Sequence, residues 1–130
     1  MANHVAISIL ENLGLGDLSK AGVATGLLAT PGYAILPLMI SGVRKNLIVQ
    51  WGSLRMSSIV VNSFNRQKFT FPITFPTAIV ALSNSNSTGI APALFTSSSI
   101  EAATQTGAEW IYSTAQEGLV PVVSYIAVGY

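Results

Sequence analysis

The chain has 130 residues, enough for one core, with a net charge of +1, 8% charged and 50% hydrophobic residues, where an ordinary soluble domain carries about 25% charge. So little charge leaves two shelters for the apolar surface: a membrane, or an obligate oligomer whose interfaces resemble a domain core cut in half. The absence of cysteine excludes disulfides and thiolate metal sites, and the balanced charge, with small basic spots only at Arg44-Lys45 and at Arg66 and Lys68, gives no footprint for nucleic acid.

The start, Met1-Ala-Asn-His4, lacks a basic region ahead of an apolar one, so no secretory signal is read and synthesis in a cytoplasm is expected. Val5, Ile9 and Leu13, with Leu10 beside them, form one apolar stripe of a short helix ended by Gly14 and Gly16. About three turns are marginal alone, so this stripe needs partners, either its own domain or sister chains. From Asp17 to Val43 periodicity is lost and Gly and Pro recur. The uncharged stretch from Gly26 to Val43 has the length of a membrane span, but Pro31 and Pro37 break it, and lipid offers no relief for the lost hydrogen bonds. It reads instead as an extended neck with little regular structure, wound around other copies, so residues 1–46 are expected as helix and trimeric neck.

After residue 46 the texture changes to short runs rich in Val, Ile, Phe, Tyr and Trp, separated by Ser, Asn, Thr and Gly. That pattern predicts a mainly β head over 47–130, an antiparallel β-sandwich or barrel. Strands are expected at 47–54, 58–63, 67–73, 77–84, 92–98, 108–114 and 122–128. Phe69, Phe71, Ile73 and Phe75 share one parity and form a core stripe, while Pro72 and Pro76 confine this stretch to a sheet edge or strand end. Trp51 is read as a core ring, with Gln50 on the opposite face seeking backbone partners and Gly52 leaving room beside the indole.

Four segments occur here in one order: Gly32-Tyr-Ala-Ile-Leu-Pro37, Asn46-Leu-Ile-Val-Gln-Trp-Gly52, Phe69-Thr-Phe-Pro-Ile-Thr-Phe-Pro76 and Ser124-Tyr-Ile-Ala-Val-Gly-Tyr130. Together they resemble the C-terminal domain of bacteriophage and prophage tail fibres, over about residues 30–130. Two places depart from that pattern: Arg44-Lys45 stands where a small pair is usual, and Asn65-Arg66 replaces a Gly-rich turn. The resemblance implies a homotrimeric fibre end in the virion. It implies contact with a bacterial surface receptor, lipopolysaccharide or an outer-membrane protein, and assembly that in such fibres often needs a dedicated chaperone.

Catalysis has little to work with. The only histidine is His4, which removes the usual base for a serine nucleophile, and only Glu101, Glu109 and Glu117 could supply the carboxylate pair that glycoside cleavage needs. No enzyme, cofactor or metal site is expected. The competing functions are a receptor-binding module and a purely structural trimerisation and capping domain. Loops discriminate them, because a binder must present aromatic and amide groups. Asn84 and Asn86, in the polar run 83–89, are candidate ligand contacts. Trp110 and Tyr112, which share one face of a strand, are the other candidates, with the core of the second sheet as their bland alternative. Counting strands up and down places 53–57, 73–77 and 98–107 at the pole distal to the neck, and 62–66, 84–89 and 116–121 at the proximal one.

Overall fold

The computed structural model describes residues 22–57, 60–86, 95–98 and 102–130, together with Val5, Ser8 and Ile9, which are helical. The rest of the expected helix, and residues 87–89 of the polar run 83–89, lie outside the described residues.

Eight strands are described: β1 (Thr25–Leu27), β2 (Gly32–Ile40), β3 (Val43–Arg55), β4 (Asn65–Thr70), β5 (Ile79–Asn86), β6 (Phe95–Ser98), β7 (Gly107–Ser113) and β8 (Val122–Gly129). They form a five-stranded sheet in the order β1-β2-β3-β8-β5 and a three-stranded sheet in the order β4-β7-β6. Every pairing is antiparallel. The architecture is the expected mainly β sandwich.

Residues 32–43 correct the expectation of an irregular neck. β2 and β3 form a hairpin whose closing pair is Ile40 and Val43. Between them Ser41 and Gly42 have φ of 52° and 75°, the left-handed conformation that a two-residue turn needs to match the twist of its strands. Pro37 sits opposite Asn46, three pairs from that closure. Hydrogen-bonded and non-bonded pairs alternate from the turn, so Pro37 falls at a non-bonded pair and its nitrogen faces away from β3. On that side β1 begins opposite Ile35 and does not reach Pro37, so the missing donor costs no ladder bond. The boundary expected at residue 46 therefore lies inside β3.

A strand at 58–63 is also absent among the residues described there. Asn65 Oδ1 accepts from the Val60 amide at 2.9 Å, and its Nδ2 donates to the Val60 carbonyl at 3.0 Å and the Ser63 carbonyl at 3.1 Å. Asn62 adopts φ of 56°. A short amide side chain that captures neighbouring backbone groups competes with a sheet ladder and wins here. The other expected strands each overlap an observed one.

The core lies between the sheets. Ile48, Val123, Tyr125 and Ala127 face inward from the five-stranded sheet, and Phe69, Ala108, Trp110 and Tyr112 from the three-stranded one. Phe69 stacks on Trp110 with centroids 4.2 Å apart and lies 4.8 Å from Tyr125. Phe71 and Phe75, from the connection after β4, close one end. Gln50 is fully buried, donating from Nε2 to the Ile73 carbonyl at 2.8 Å and accepting from the Ile73 amide at 2.9 Å. The alternation expected around Gln50 therefore holds, but Trp51 is corrected: its ring is half-buried on the outer face, with Nε1 donating to the Ala29 carbonyl at 2.8 Å. Gly52 makes room for Tyr125 rather than for the indole, since a Cβ there would stand 2.7 Å from the tyrosine ring.

Candidate functional site

The topology sorts the connections between two ends of the sandwich. Arg55 lies opposite Val122, Asn86 opposite Val123, and Asn65 and Phe95 sit near the end of β7 opposite Tyr112 and Ser113. Connections 56–64, 87–94 and 114–121 are thus anchored at one end. Connections 71–78 and 99–106 are anchored at the other. β1 begins opposite Ile35, which pairs with Ile48, itself opposite Gly129, and runs toward the first end. The chain therefore enters from the 71–78 end, and the β2–β3 turn points the same way. Loss of the strand at 58–63 is what exchanges the poles: β5 carries the start of the polar run, 83–86, toward the distal end, and 73–77 and 102–107 stand at the proximal one.

At the distal end two connections are zipped together. The Met56 amide donates to the Pro121 carbonyl and the Asn62 amide to the Thr114 carbonyl, each at 2.8 Å, and the Tyr112 hydroxyl donates to the Ser57 carbonyl at 3.3 Å. Phe64 stands on this platform 73% exposed, with Val60 66% exposed nearby in sequence. The sequence reading missed Phe64 because it placed this stretch in a strand and its turn. The available signal was Asn62-Ser-Phe-Asn65, two asparagines bracketing an aromatic, a turn composition.

The four candidate ligand residues do not form one cluster. Trp110 and Tyr112 are buried to 0% and 1% exposure, between the sheets, which corrects them from ligand contacts to core anchors. Their face of β7 is covered by the facing sheet, with Trp110 against Tyr125 of β8 and stacked on Phe69. Burial raises the hydroxyl pKa of Tyr112 and of Tyr125 above the ordinary 10.0. Asn84 is half-buried opposite Tyr125, and its Nδ2 has no hydrogen-bond partner. It lies beside a small depression of about 160 Å³ shared with Ser85 and Ser124. Asn86 ends β5 at the distal end; its side chain lies outside the described residues.

Two larger depressions occur elsewhere. One, of about 310 Å³, is apolar and lies by Leu38, Ile40, Leu47 and Tyr130. The other, of about 440 Å³, lies by Lys68, Thr104, Thr106 and Glu109. Glu109 Oε1 accepts from Arg66 Nη1 at 2.8 Å, and Glu117 is exposed in the connection 114–121. Among the described residues no three His, Cys, Asp or Glu side chains converge as a metal site.

The outer faces of the two sheets differ. On the five-stranded sheet, Leu36, Leu47, Val49, Trp51, Ile126 and Val128 share the outward parity, and Ile126 is 55% exposed at its middle. Arg66, Lys68, Thr70 and Glu109 dominate the other outer face.

The four resembling segments meet in this fold. Three are β2, β3 and β8, adjacent in one sheet, and the fourth supplies the phenylalanines that pack on Tyr125 and the backbone that Gln50 holds. Comparison with known proteins agrees with that signature. Residues 44–130 match the family described as tail fiber protein gp53-like, C-terminal. The chain is 36% identical over 73 residues to the protein StfP of Escherichia coli strain K12, a match covering 56% of this chain and 34% of StfP. An N-truncated R1-type pyocin tail fibre superposes with a TM-score of 0.67 at 22% identity, covering 96% of each chain. The C-terminal portion of the Pseudomonas aeruginosa R2 pyocin fibre superposes with a TM-score of 0.63 at 25% identity, covering 91% of this chain and 29% of that one. By this match the chain belongs to the gp53-like C-terminal family of tail fibre proteins.

Proposed function

We propose that this domain is the receptor-facing tip of a phage tail fibre, working as a homotrimer that attaches the particle to lipopolysaccharide or an outer-membrane protein of a bacterial host. The observation that carries this reading is the gathering of connections 56–64 and 114–121, with the end of β5 at Asn86 and the start of β6 at Phe95, at the end opposite the start of β1. None of them belongs to the four segments that build the fold. Phe64 is presented there on a hydrogen-bonded platform, and a preformed aromatic anchor loses little entropy on binding. Asn86 stands at the root of 87–94 and Asn84 two residues behind it, so both stay in the proposed contact region. The residues ahead of β1 carry the chain out of the shaft, and a fibre chaperone is the partner expected in assembly. Among the described residues no helix is long and apolar enough to cross a membrane.

Three copies around one axis explain the apolar outer face of the five-stranded sheet, which on one chain would leave a contiguous patch in water. Threefold repetition also turns weak contacts into avid attachment. The test is to incubate the purified trimer with a panel of Gram-negative cells and matched lipopolysaccharide-deficient strains. Binding to some parent strains, reduced by Phe64→Ala in intact trimers, is the expected result. Intact trimers that attach to no cell would favour the second reading, a trimerisation and capping domain, for which the same apolar face speaks.

A further inference from the structure

We infer that the depression enclosed by β4, β7 and the 102–106 connection is a binding site for an acid-bearing saccharide, its anionic group held by Lys68 and its hydroxyls by the threonine wall. Its volume of about 440 Å³ lies within the roughly 300–1,000 Å³ of small-ligand sites. Cross-strand register sets Lys68 opposite Glu109, a pairing that would ordinarily neutralise both. Glu109 instead takes its hydrogen bond from Arg66 at 2.8 Å, and among the described residues no carboxylate pairs with Lys68. Among the described residues its ammonium thus stands without an ion-pair partner at the rim of the depression, where it attracts an anion.

The wall facing Lys68 is fixed in place. Thr104 Oγ1 accepts from the Gly107 amide at 3.2 Å and the Thr106 amide at 3.3 Å. The loop is pinned from behind: Gln105 Nε2 donates to the Pro76 carbonyl at 3.0 Å and the Thr77 carbonyl at 2.9 Å, and the Gln105 and Thr106 carbonyls each accept an amide at 2.9 Å, from Phe75 and Phe71. Thr106 Oγ1, 3.1 Å from Thr104 Oγ1, keeps hydrogen-bonding capacity for a ligand. Ala102, Ala108 and Phe69 supply apolar surface between these polar groups. A sugar ring has that same alternation of C–H faces and hydroxyls. A neutral sugar would leave Lys68 unused, and an acidic peptide would leave the hydroxyl and methyl wall unused. The site stands on its own geometry; only its part in attachment rests on the fibre-tip reading.

Titration of the purified protein, followed by amide NMR shifts, with trigalacturonic acid, neutral galactotriose, sodium phosphate and a pentaglutamate peptide tests this assignment. Trigalacturonic acid is expected to bind about tenfold more tightly than galactotriose, the scale of a charge-assisted hydrogen bond, with shifts centred on Thr104 to Gly107 and weakened by added salt. Lys68→Ala should remove that preference, Lys68→Arg should keep it, and Thr106→Val should weaken both sugars. Equal binding of the two sugars, an unchanged affinity in Lys68→Ala, or pentaglutamate or phosphate alone binding as tightly as the acidic sugar would each overturn the assignment. Cell attachment by the same Lys68→Ala protein separates the two proposals: sugar binding lost with attachment retained removes this site from attachment and leaves the fibre-tip reading standing.

Discussion

The two sheets of the sandwich bury the same kind of inner face and present opposite outer faces. On the five-stranded sheet the outward positions of β2, β3 and β8 are mostly aliphatic, with Trp51 among them. On the three-stranded sheet the outward positions of β4 and β7 carry Arg66, Lys68 and Thr70 beside Glu109. Both obey the period of two, so alternation alone does not separate them; what differs is what the second parity meets. A sheet whose inner face packs a core and whose outer face is charged is finished as a monomer. One that is apolar on both faces still has an interface to make. On the five-stranded sheet the charged side chains Arg44, Lys45 and Arg55 lie toward the two ends of β3, which leaves the middle of its outer face apolar, and the proposed trimer uses that middle.

The largest effect expected from this contrast is on assembly. Ile126→Glu places a charge at the centre of the apolar outer face, where the proposed trimer would bury it unpaired at a cost of about 3 kcal/mol or more. Light scattering should then report chains that no longer form trimers. Ile111→Glu, on the other sheet's outer face opposite Arg66, should leave assembly unchanged and shift stability by less than about 0.5 kcal/mol. Equal behaviour of the two variants would break the comparison.

Adjacent residues on opposite faces of β3 sharpen it. Gln50→Ala strands the Ile73 amide and carbonyl and should cost about 2–4 kcal/mol in denaturant unfolding. Trp51→Ala should instead lower the concentration stability of the trimer, read by dilution in light scattering.

A smaller, pH-dependent effect belongs to the shared core. Burial holds the Tyr112 and Tyr125 hydroxyls above 10.0, so the folded state favours their neutral forms. Their contribution is fully present below the unfolded value and is lost as pH rises through about 10 toward the folded values. Thermal melts should be flat from neutral pH to about 9 in this respect and fall above about 10; Tyr125→Phe should flatten that decline. The smallest effect is expected at the charged face itself. Arg66→Ala removes an ion pair whose arginine side chain is 61% exposed, worth about 0–1 kcal/mol in unfolding and less at high salt.

Sequence by itself determined the antiparallel β texture, the phenylalanine stripe in the core, the amide of Gln50 turned inward and, through four segments in order, the tail fibre family. These are local signals or a signature of the fold, and the fold is built from those segments. Tertiary structure decided the rest. Pro37 disguised β2 because a sequence does not show which side of a strand is left open, and Asn65 dissolved the strand at 58–63 through bonds that propensity does not count. That one lost strand exchanged the poles, since each strand reverses the chain. Trp110 and Tyr112 share a face that the sequence left open to either reading, and packing of the facing sheet buried it. Alternation tells which residues share a face; only the packed second sheet tells whether that face meets water, a core or another chain.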